Sequence, residues 1–352
     1  MPDATASSPV EQIVYLSNRP EILAETLRQV RHFLPWLREA VVLAPAATHT
    51  ALTTARAGEV DPLPVVAVVE EDLLAEHRVA KPREHAVRNP LLRRLLYTHG
   101  PVADVFLQSD DDYRPLRPLD PSAFVDDDGR LVSYACYDLA AWRRAESGFD
   151  GLQHAAYLAM LALGGPHLHY ASHMPQPLDR ADFLAAYAAA DRLDPDGSFC
   201  EWSLPLNHGR LVRPDRYAPA RTFRTMCWPR YPHEWPFWRR PEDIAFENFH
   251  PELYVPGGLF AGLPTTLDPD RAEQQMFAKL RRWYAFDLQA GRLQFPADVD
   301  DPWRTGGSAR DTAARRAFFK AAQRARRLWE YTALEERTRL TELGGEFGLK
   351  DR

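Results

Sequence analysis

Cysteine is scarce in this chain. The 352 residues include three cysteines, Cys136, Cys200 and Cys227, and none of them belongs to a Cys-x-x-Cys pair. This number and spacing exclude a disulfide framework and a cysteine-based zinc site. We therefore expect reduced, buried thiols and, by default, a cytoplasmic location.

An excess of positive charge and a long apolar run are also missing. The 43 Lys and Arg residues do not outnumber the 49 Asp and Glu residues, and the formal net charge of −6 argues against nucleic-acid binding. No apolar run approaches the roughly 18 residues that a membrane-spanning helix needs. The opening MPDATASSP lacks the basic and apolar regions of a signal peptide, so we predict a disordered tail over residues 1–10.

What the first third of the chain does contain is an alternation of short apolar runs and helical patterns. Apolar runs at residues 12–16, 40–43, 65–69 and 104–108 predict strands. After the first run, Leu23, Leu27, Val30 and Phe33 recur at helical spacing behind Pro20, and a second helix is predicted to open at Asn89-Pro90. This alternation is typical of a mostly parallel sheet with helices on both faces.

The rest of the chain predicts helices, with one aromatic segment between them. Helices are expected at residues 151–163, 271–288 and 309–332, and one more is expected to open at Asp179 with a capping-box pattern and to run through Tyr187. We divide the chain into a tail (1–10), an α/β core (11–215), an aromatic-rich extension (216–305) and a C-terminal helical tail (306–352).

The most informative segment is DVFLQSDDDYRPLRPL, in which an apolar strand runs into three carboxylates. On extended backbone alternate side chains share a side, so Asp110 and Asp112 can point together. Two carboxylates at the carboxyl edge of an α/β sheet suit Mn²⁺ or Mg²⁺. The alternative is a solvated acidic turn with no ligand.

Three segments together resemble the GT-A fold of nucleotide-sugar glycosyltransferases. They are NRPEILAETL after the first strand, VRNPLL before the fourth, and the Asp triad, and the resemblance covers roughly residues 10–135. It implies a Rossmann-type mixed sheet and a UDP- or GDP-sugar donor. It implies that Asp110 and Asp112 hold a divalent cation against the donor diphosphate. It also implies a set of nucleotide-binding residues: Ser17, Asn18, Arg19, Arg88 and Asp111.

A second resemblance is to the Stealth-type sugar-phosphate transferases of capsule synthesis. It rests on DDDYRPLRPLDPSAFVDDDGR and on SHMPQPLDRADF, although Ser109 stands where those proteins have Asn. It implies that His173 is a metal ligand or a general acid/base, and Arg180 in the same segment can stabilise a departing phosphate. Transfer of a sugar 1-phosphate, with release of a nucleoside monophosphate, is therefore the alternative reaction.

An acceptor hydroxyl must lose a proton as it attacks, so a base is expected in the second half of the core. Glu201 is the candidate, with Glu247 as another, and each can instead be a structural salt-bridging residue. Trp235 and Trp238, in the aromatic segment, are predicted to stack on a glycan or small-molecule acceptor, with packing of a loop as the alternative.

We thus predict a metal-dependent glycosyltransferase of polysaccharide biosynthesis. One rival is a metal-dependent hydrolase that gathers His167, His169 and His173 on one metal. Another rival is a carbohydrate-binding protein without catalysis. The basic C-terminal helix is expected to dock on the protein, although such a helix can also contact an anionic membrane surface.

Overall fold

A computed structural model describes residues 10–135, 139, 148–226 and 244–289. The chain divides into two units, Met1–Phe223 and Arg224–Arg352. Trp235, Trp238 and the helix predicted at 309–332 lie outside the described residues, so their predicted roles stay predictions, as does the four-part division of the chain. Within the described residues, no helix is both long enough and apolar enough to cross a membrane.

The first unit alternates strands and helices, as the sequence predicts. Its strands are β1 (Gln12–Leu16), β2 (Glu39–Ala44), β3 (Val65–Val69), β4 (Val105–Asp110), β5 (Tyr113–Pro115), β6 (Tyr134–Ala135), β7 (Gln176–Asp179) and β8 (Arg221–Thr222). Its helices are α1 (Pro20–Phe33), α2 (Ala46–Ala55), α3 (Glu70–Glu76), α4 (His85–His99), α5 (Gly148–Ala162), α6 (Arg180–Leu193) and α7 (Ser203–Val212).

A five-stranded sheet in the order β3-β2-β1-β4-β7 forms the centre of this unit. The first four strands are parallel, and β7 joins the edge antiparallel to β4, with Gln108 opposite Gln176. The predicted fold class, an α/β fold around a mixed, mostly parallel sheet, is confirmed. The chain leaves β1 toward β2 on one side and returns to β4 on the other. The strand order therefore reverses between β1 and β4, which is where α/β sheets open a binding crevice.

Burial of apolar side chains explains why these segments fold as they do. Strands β1 and β2 are apolar after their first residue, and their central residues are fully buried, as expected of strands covered on both faces. The predicted face of α1 is buried at Leu23, Leu27, Val30 and Phe33. Pro20 occupies the first turn of α1, where its missing N–H costs no hydrogen bond.

Several local predictions need correction. Helix α4 begins at His85 rather than at Asn89, and it continues through Pro90 to His99. Helices α2 and α3 were not predicted, and no side chain caps α1. The cap at Asp179 is confirmed, because its carboxylate accepts from the backbone N–H groups of Ala181 and Asp182. Helix α6 extends past Tyr187 to Leu193.

The second unit contains β9 (Thr225–Met226), β10 (Phe246–Asn248) and α8 (Ala272–Gln289). Strands β9 and β10 are parallel, and α8 lies where a helix was predicted. Lys279 of α8 donates from Nζ to both carboxylate oxygens of Glu247 at 2.9 Å, and both side chains are buried. This pair shows Glu247 in the structural, salt-bridging role that was its alternative interpretation.

Candidate active site

A pocket of about 450 Å³ opens at the carboxyl edge of the sheet, at the reversal point between β1 and β4. It gathers all the residues predicted to hold a nucleotide or a cation, although these come from three separate segments of the chain. They are Ser17, Asn18 and Arg19 after β1, Arg88 on α4, and Asp110, Asp111 and Asp112 at the end of β4. Their roles stay predictions, but their convergence is an observation.

Asp110, the last residue of β4, is held by a buried arginine. Arg93 on α4 is fully buried and donates from Nη2 to Oδ1 of Asp110 at 2.5 Å. On its other side, Nε of Arg93 lies 3.7 Å from Oε1 of Glu201. Burial by itself lowers the pKa of this guanidinium, but Tyr97, Asp110 and Glu201 outweigh burial and raise the pKa above its usual value. Arg93 therefore carries a permanent positive charge between two acids.

Asp111 and Asp112 are paired with a different arginine. The guanidinium of Arg19 contacts both carboxylates, with Nη2 2.8 Å from Oδ2 of Asp112 and closer still to Oδ1 of Asp111. The hydroxyl of Ser17 donates to Oδ2 of Asp111 at 2.6 Å, and that of Thr26 donates to the Asp111 carbonyl oxygen at 2.6 Å. Burial raises the pKa of Asp111 to about 6, even though Arg19 opposes this shift.

The pocket is also lined by basic side chains. Lys81, His85 and Arg88 come from the start of α4 and the loop before it. Burial and the neighbouring Arg88 lower the pKa of His85. An anion of the size of a diphosphate would thus meet both positive charge and carboxylates in this pocket.

The donor set fits a divalent cation that is shared with a ligand. In the part of the chain that the structure describes, no three His, Cys, Asp or Glu side chains are grouped so that they could hold a metal ion by themselves. Asp110 and Asp112 nevertheless present hard oxygen ligands to one pocket. Mg²⁺ and Mn²⁺ accept one or two carboxylates when phosphate and water supply the other ligands. These residues therefore fit the expected cation only in the company of a phosphate-bearing ligand.

His173 lies at the carboxyl edge of the sheet. Because β7 runs antiparallel to β4, the residues before Gln176 lie beyond the carboxyl end of β4. The His173 ring packs edge-on against Tyr113, with ring centroids 5.8 Å apart, and the Tyr113 hydroxyl interacts with Asp110. His173 has a φ of 53°, in the left-handed region that non-glycine residues seldom adopt.

Arg180 lies at the wrong end of the sheet for its predicted role, which we correct. Val105 pairs with Asp179, so Arg180 lies beside Asp104 at the amino end of β4. Its Nη2 donates to Oδ1 of Asp104 at 2.6 Å. The length of β4 separates it from Asp110. Because β7 is antiparallel to β4, the start of the segment lies at the carboxyl edge of the sheet and its end lies at the amino edge.

Glu201 is close to the site but does not line the pocket. It is buried behind Arg93, and its backbone carbonyl accepts from Nε2 of Gln108 on β4 at 3.1 Å. Burial raises the pKa of Glu201 to about 7, with Arg93 opposing and Asp110 adding to that shift. In this position Glu201 lies next to Arg93 and outside the residues that line the pocket.

Sequence reasoning missed four residues that shape the site. Glu70, Lys81 and His85 line the pocket, and Arg93 supports it from behind. Arg93 could have been noticed, since it occupies the same buried stretch of α4 as Leu92 and Leu96. A charged residue on an apolar helix face needs a partner. No sequence signal identifies that partner as Asp110.

The chain is similar to several known structures, although at low sequence identity. No protein-family model matches it, and no curated protein matches it in sequence. A structure of an active-site mutant of LgtC is 14% identical with a TM-score of 0.40, covering 83% of this chain and 99% of that chain. A structure of the galactosyltransferase LgtC in complex with donor and acceptor sugar analogs is 13% identical with a TM-score of 0.40, covering 76% and 95%.

LgtC is a galactosyltransferase of the GT-A fold, the fold that the sequence segments resemble. At this identity and TM-score the two matches carry no argument about the activity of this chain. The function of this chain is therefore inferred from the arrangement of charged side chains in the pocket.

Proposed function

We propose that this protein is a glycosyltransferase that takes a nucleotide-sugar donor. The observation that carries the proposal is the convergence of three carboxylates and several basic side chains on one pocket at the strand-order reversal of the sheet. Ligands of open α/β sheets bind at that point. The presence of acidic and basic side chains in one pocket suits a diphosphate that binds together with a divalent cation.

The residues that line the pocket have distinct roles in this proposal. Asp110 and Asp112 would hold Mn²⁺ or Mg²⁺ together with phosphate oxygens and water. When bound, the cation supplies Lewis-acid stabilisation of the charge that develops on the departing nucleotide. Arg88 donates to phosphate oxygens, and Arg93 keeps the Asp110 carboxylate in one orientation.

The proton of the acceptor hydroxyl needs a nearby base. Glu201 is shielded by Arg93, and Glu247 is tied to Lys279. His173 lies at the same edge as the pocket, in contact with Tyr113, and a neutral imidazole there can take the proton as the hydroxyl attacks. The acceptor itself, a glycan or a small molecule, would approach from that side, and Trp235 and Trp238 remain its predicted stacking residues.

Thermal unfolding of the full chain against a panel of UDP- and GDP-sugars, with and without Mn²⁺, tests the proposal. A donor at about 100 times its Kd stabilises the native state by about 2.7 kcal/mol. We expect such stabilisation only when Mn²⁺ is present. Stabilisation by glycans alone would favour a carbohydrate-binding protein and contradict the proposal.

Product analysis then identifies the reaction. Release of UDP or GDP when an acceptor is added supports glycosyl transfer. Release of UMP or GMP supports transfer of a sugar 1-phosphate, the Stealth-type alternative. Cleavage of phosphate esters without any nucleotide sugar would support the hydrolase. A chain that neither binds nor turns over any nucleotide sugar would refute the proposal.

A further inference from the structure

The side chains that line the pocket follow the order of the strands along the edge of the sheet. From β3 to β4 the pocket wall presents the carboxylate of Glu70, then Pro45 after β2, then Leu16 to Arg19 after β1, and then the Asp triad. Strands β3 and β4 are three strand spacings apart in the sheet, or about 14 Å. That distance matches an extended nucleoside diphosphate whose phosphates lie at the β4 end, so the base lies at the β3 end.

The β3 end of the pocket holds one buried acid and one basic side chain. Glu70 directly follows β3 and is 4% exposed, and its Oε1 makes an ion pair with Nζ of Lys81. The Lys81 side chain is half-exposed and can move. Pro45, on the neighbouring strand end, offers an apolar surface to the face of a ring. A planar ligand resting on Pro45 would therefore present its edge to Glu70 and Lys81.

The edges of the four common bases differ in what they offer a carboxylate. Guanine presents two adjacent donors, N1–H and the 2-amino group, beside the acceptor O6. Uracil presents one donor between two carbonyl oxygens, and adenine and cytosine each present an amino group beside an unprotonated ring nitrogen. A carboxylate has only acceptors, so guanine alone can engage both of its oxygens at once. A lysine beside it is a donor for O6.

On this basis we propose that the donor is a guanosine-diphosphate sugar, with Glu70 accepting from N1–H and the 2-amino group and Lys81 donating to O6. This inference rests on the proposed function, since it assigns the nucleotide of the same pocket. The carboxylate is already buried and built into the wall. It therefore selects the base without the cost of ordering a mobile loop.

The experiment measures Kd by calorimetry for GDP, IDP, UDP and ADP with Mn²⁺ on the full chain. IDP is GDP without the 2-amino group, so it reports that contact alone. We expect GDP to bind about tenfold or more tightly than IDP, the usual size for one hydrogen bond to a charged group. UDP and ADP should bind more weakly than GDP. In Glu70→Gln the GDP-to-IDP ratio should fall toward one, because an amide offers only one acceptor in that position.

Glu76→Gln is the matched control, since Glu76 is exposed at the other end of the same short helix and should keep the wild-type ratio. Unfolding midpoints of both variants show whether each is folded. Tighter binding of UDP or ADP than of GDP overturns the guanine assignment, and so does a ratio that Glu70→Gln leaves unchanged. Failure of all four nucleotides to bind overturns the proposed function instead, so the two failures are distinct.

Discussion

Arg93 and Asp110 form a charged hydrogen bond of 2.5 Å between a fully buried guanidinium and the last residue of a central strand. The bond fixes the orientation of the Asp110 carboxylate, which is the first of the triad and also lines the pocket. Because Glu201 lies on the far side of Arg93, one cation is shared between two acids.

This relationship makes Arg93 a stability determinant. Arg93→Met should lower the free energy of unfolding by about 3–5 kcal/mol, because it leaves Asp110 and buried Glu201 without their cation. Arg94→Met is the matched control, since the neighbouring Arg94 pairs with Asp191 in a partly exposed position and should cost about 1 kcal/mol or less. Denaturant unfolding of both variants measures this difference, and equal losses would show that the shared cation is unimportant.

Asp110→Asn should abolish Mn²⁺-dependent nucleotide binding and also destabilise the protein. The structure pairs Asp110 with Arg93, so the substitution should cost about 1–3 kcal/mol. Asp104→Asn, which alters an exposed carboxylate paired with Arg180, should change neither property. Wild-type binding by Asp110→Asn would exclude the triad from the donor site.

Arg19 competes with the expected cation for the same carboxylates. Arg19→Gln should raise the affinity for Mn²⁺ alone by about tenfold, because Asp111 and Asp112 lose their resident positive charge. Electron paramagnetic resonance of free Mn²⁺ measures this without nucleotide. Arg31→Gln, which removes an ion pair with Asp61 elsewhere on α1, is the control and should leave the affinity unchanged. Equal or weaker Mn²⁺ binding by Arg19→Gln would refute the competition.

Glu201 should make stability depend on pH. Its pKa is about 7 in the folded protein, against an ordinary value of 4.5, so the folded state keeps a proton that the unfolded state releases. Stability is therefore fully present below pH 4.5 and falls as pH rises toward 7, by up to about 1 kcal/mol per pH unit. The charged or titratable groups that interact with Glu201 are Arg93, Asp110, Tyr97, Cys200 and Tyr187.

Glu201→Gln isolates this effect, since an amide does not titrate. Asp111, whose pKa of about 6 is also raised, contributes a slope of the same sign in both proteins. The difference between the two stability curves should therefore report Glu201 alone. Parallel curves between pH 4.5 and 7 would show that Glu201 does not bind the proton.

His173→Ala should lower kcat by about 10²–10⁴, the usual size for a lost acid/base group, with a smaller effect on donor Kd. His167→Ala is the control, because His167 packs against Tyr157 and should matter less. A loss of donor binding equal to the loss of kcat would instead make His173 a structural partner of Tyr113.

Much of the fold and about half of the site could be predicted from the sequence. The four parallel strands were predictable because each contains a short apolar run, and β1 and β2 are buried at their centres. Ser17, Asn18 and the Asp triad follow β1 and β4 directly, so parallel pairing necessarily brings them to one edge. Helix α3 was missed because its seven residues, of which Glu70, Glu71 and Asp72 are the first three, show little helical periodicity.

The sequence by itself determined which segments form strands and where their carboxyl ends lie, because hydrophobic periodicity is a local property. Only the tertiary structure decided which arginine meets which aspartate, and that Glu201 lies behind Arg93 instead of facing the pocket. It also decided that β7 runs antiparallel beside β4, which places His173 at the carboxyl edge of the sheet and Arg180 at the opposite end. Those outcomes depend on strand direction and on contacts between residues far apart in the chain, neither of which a local pattern encodes.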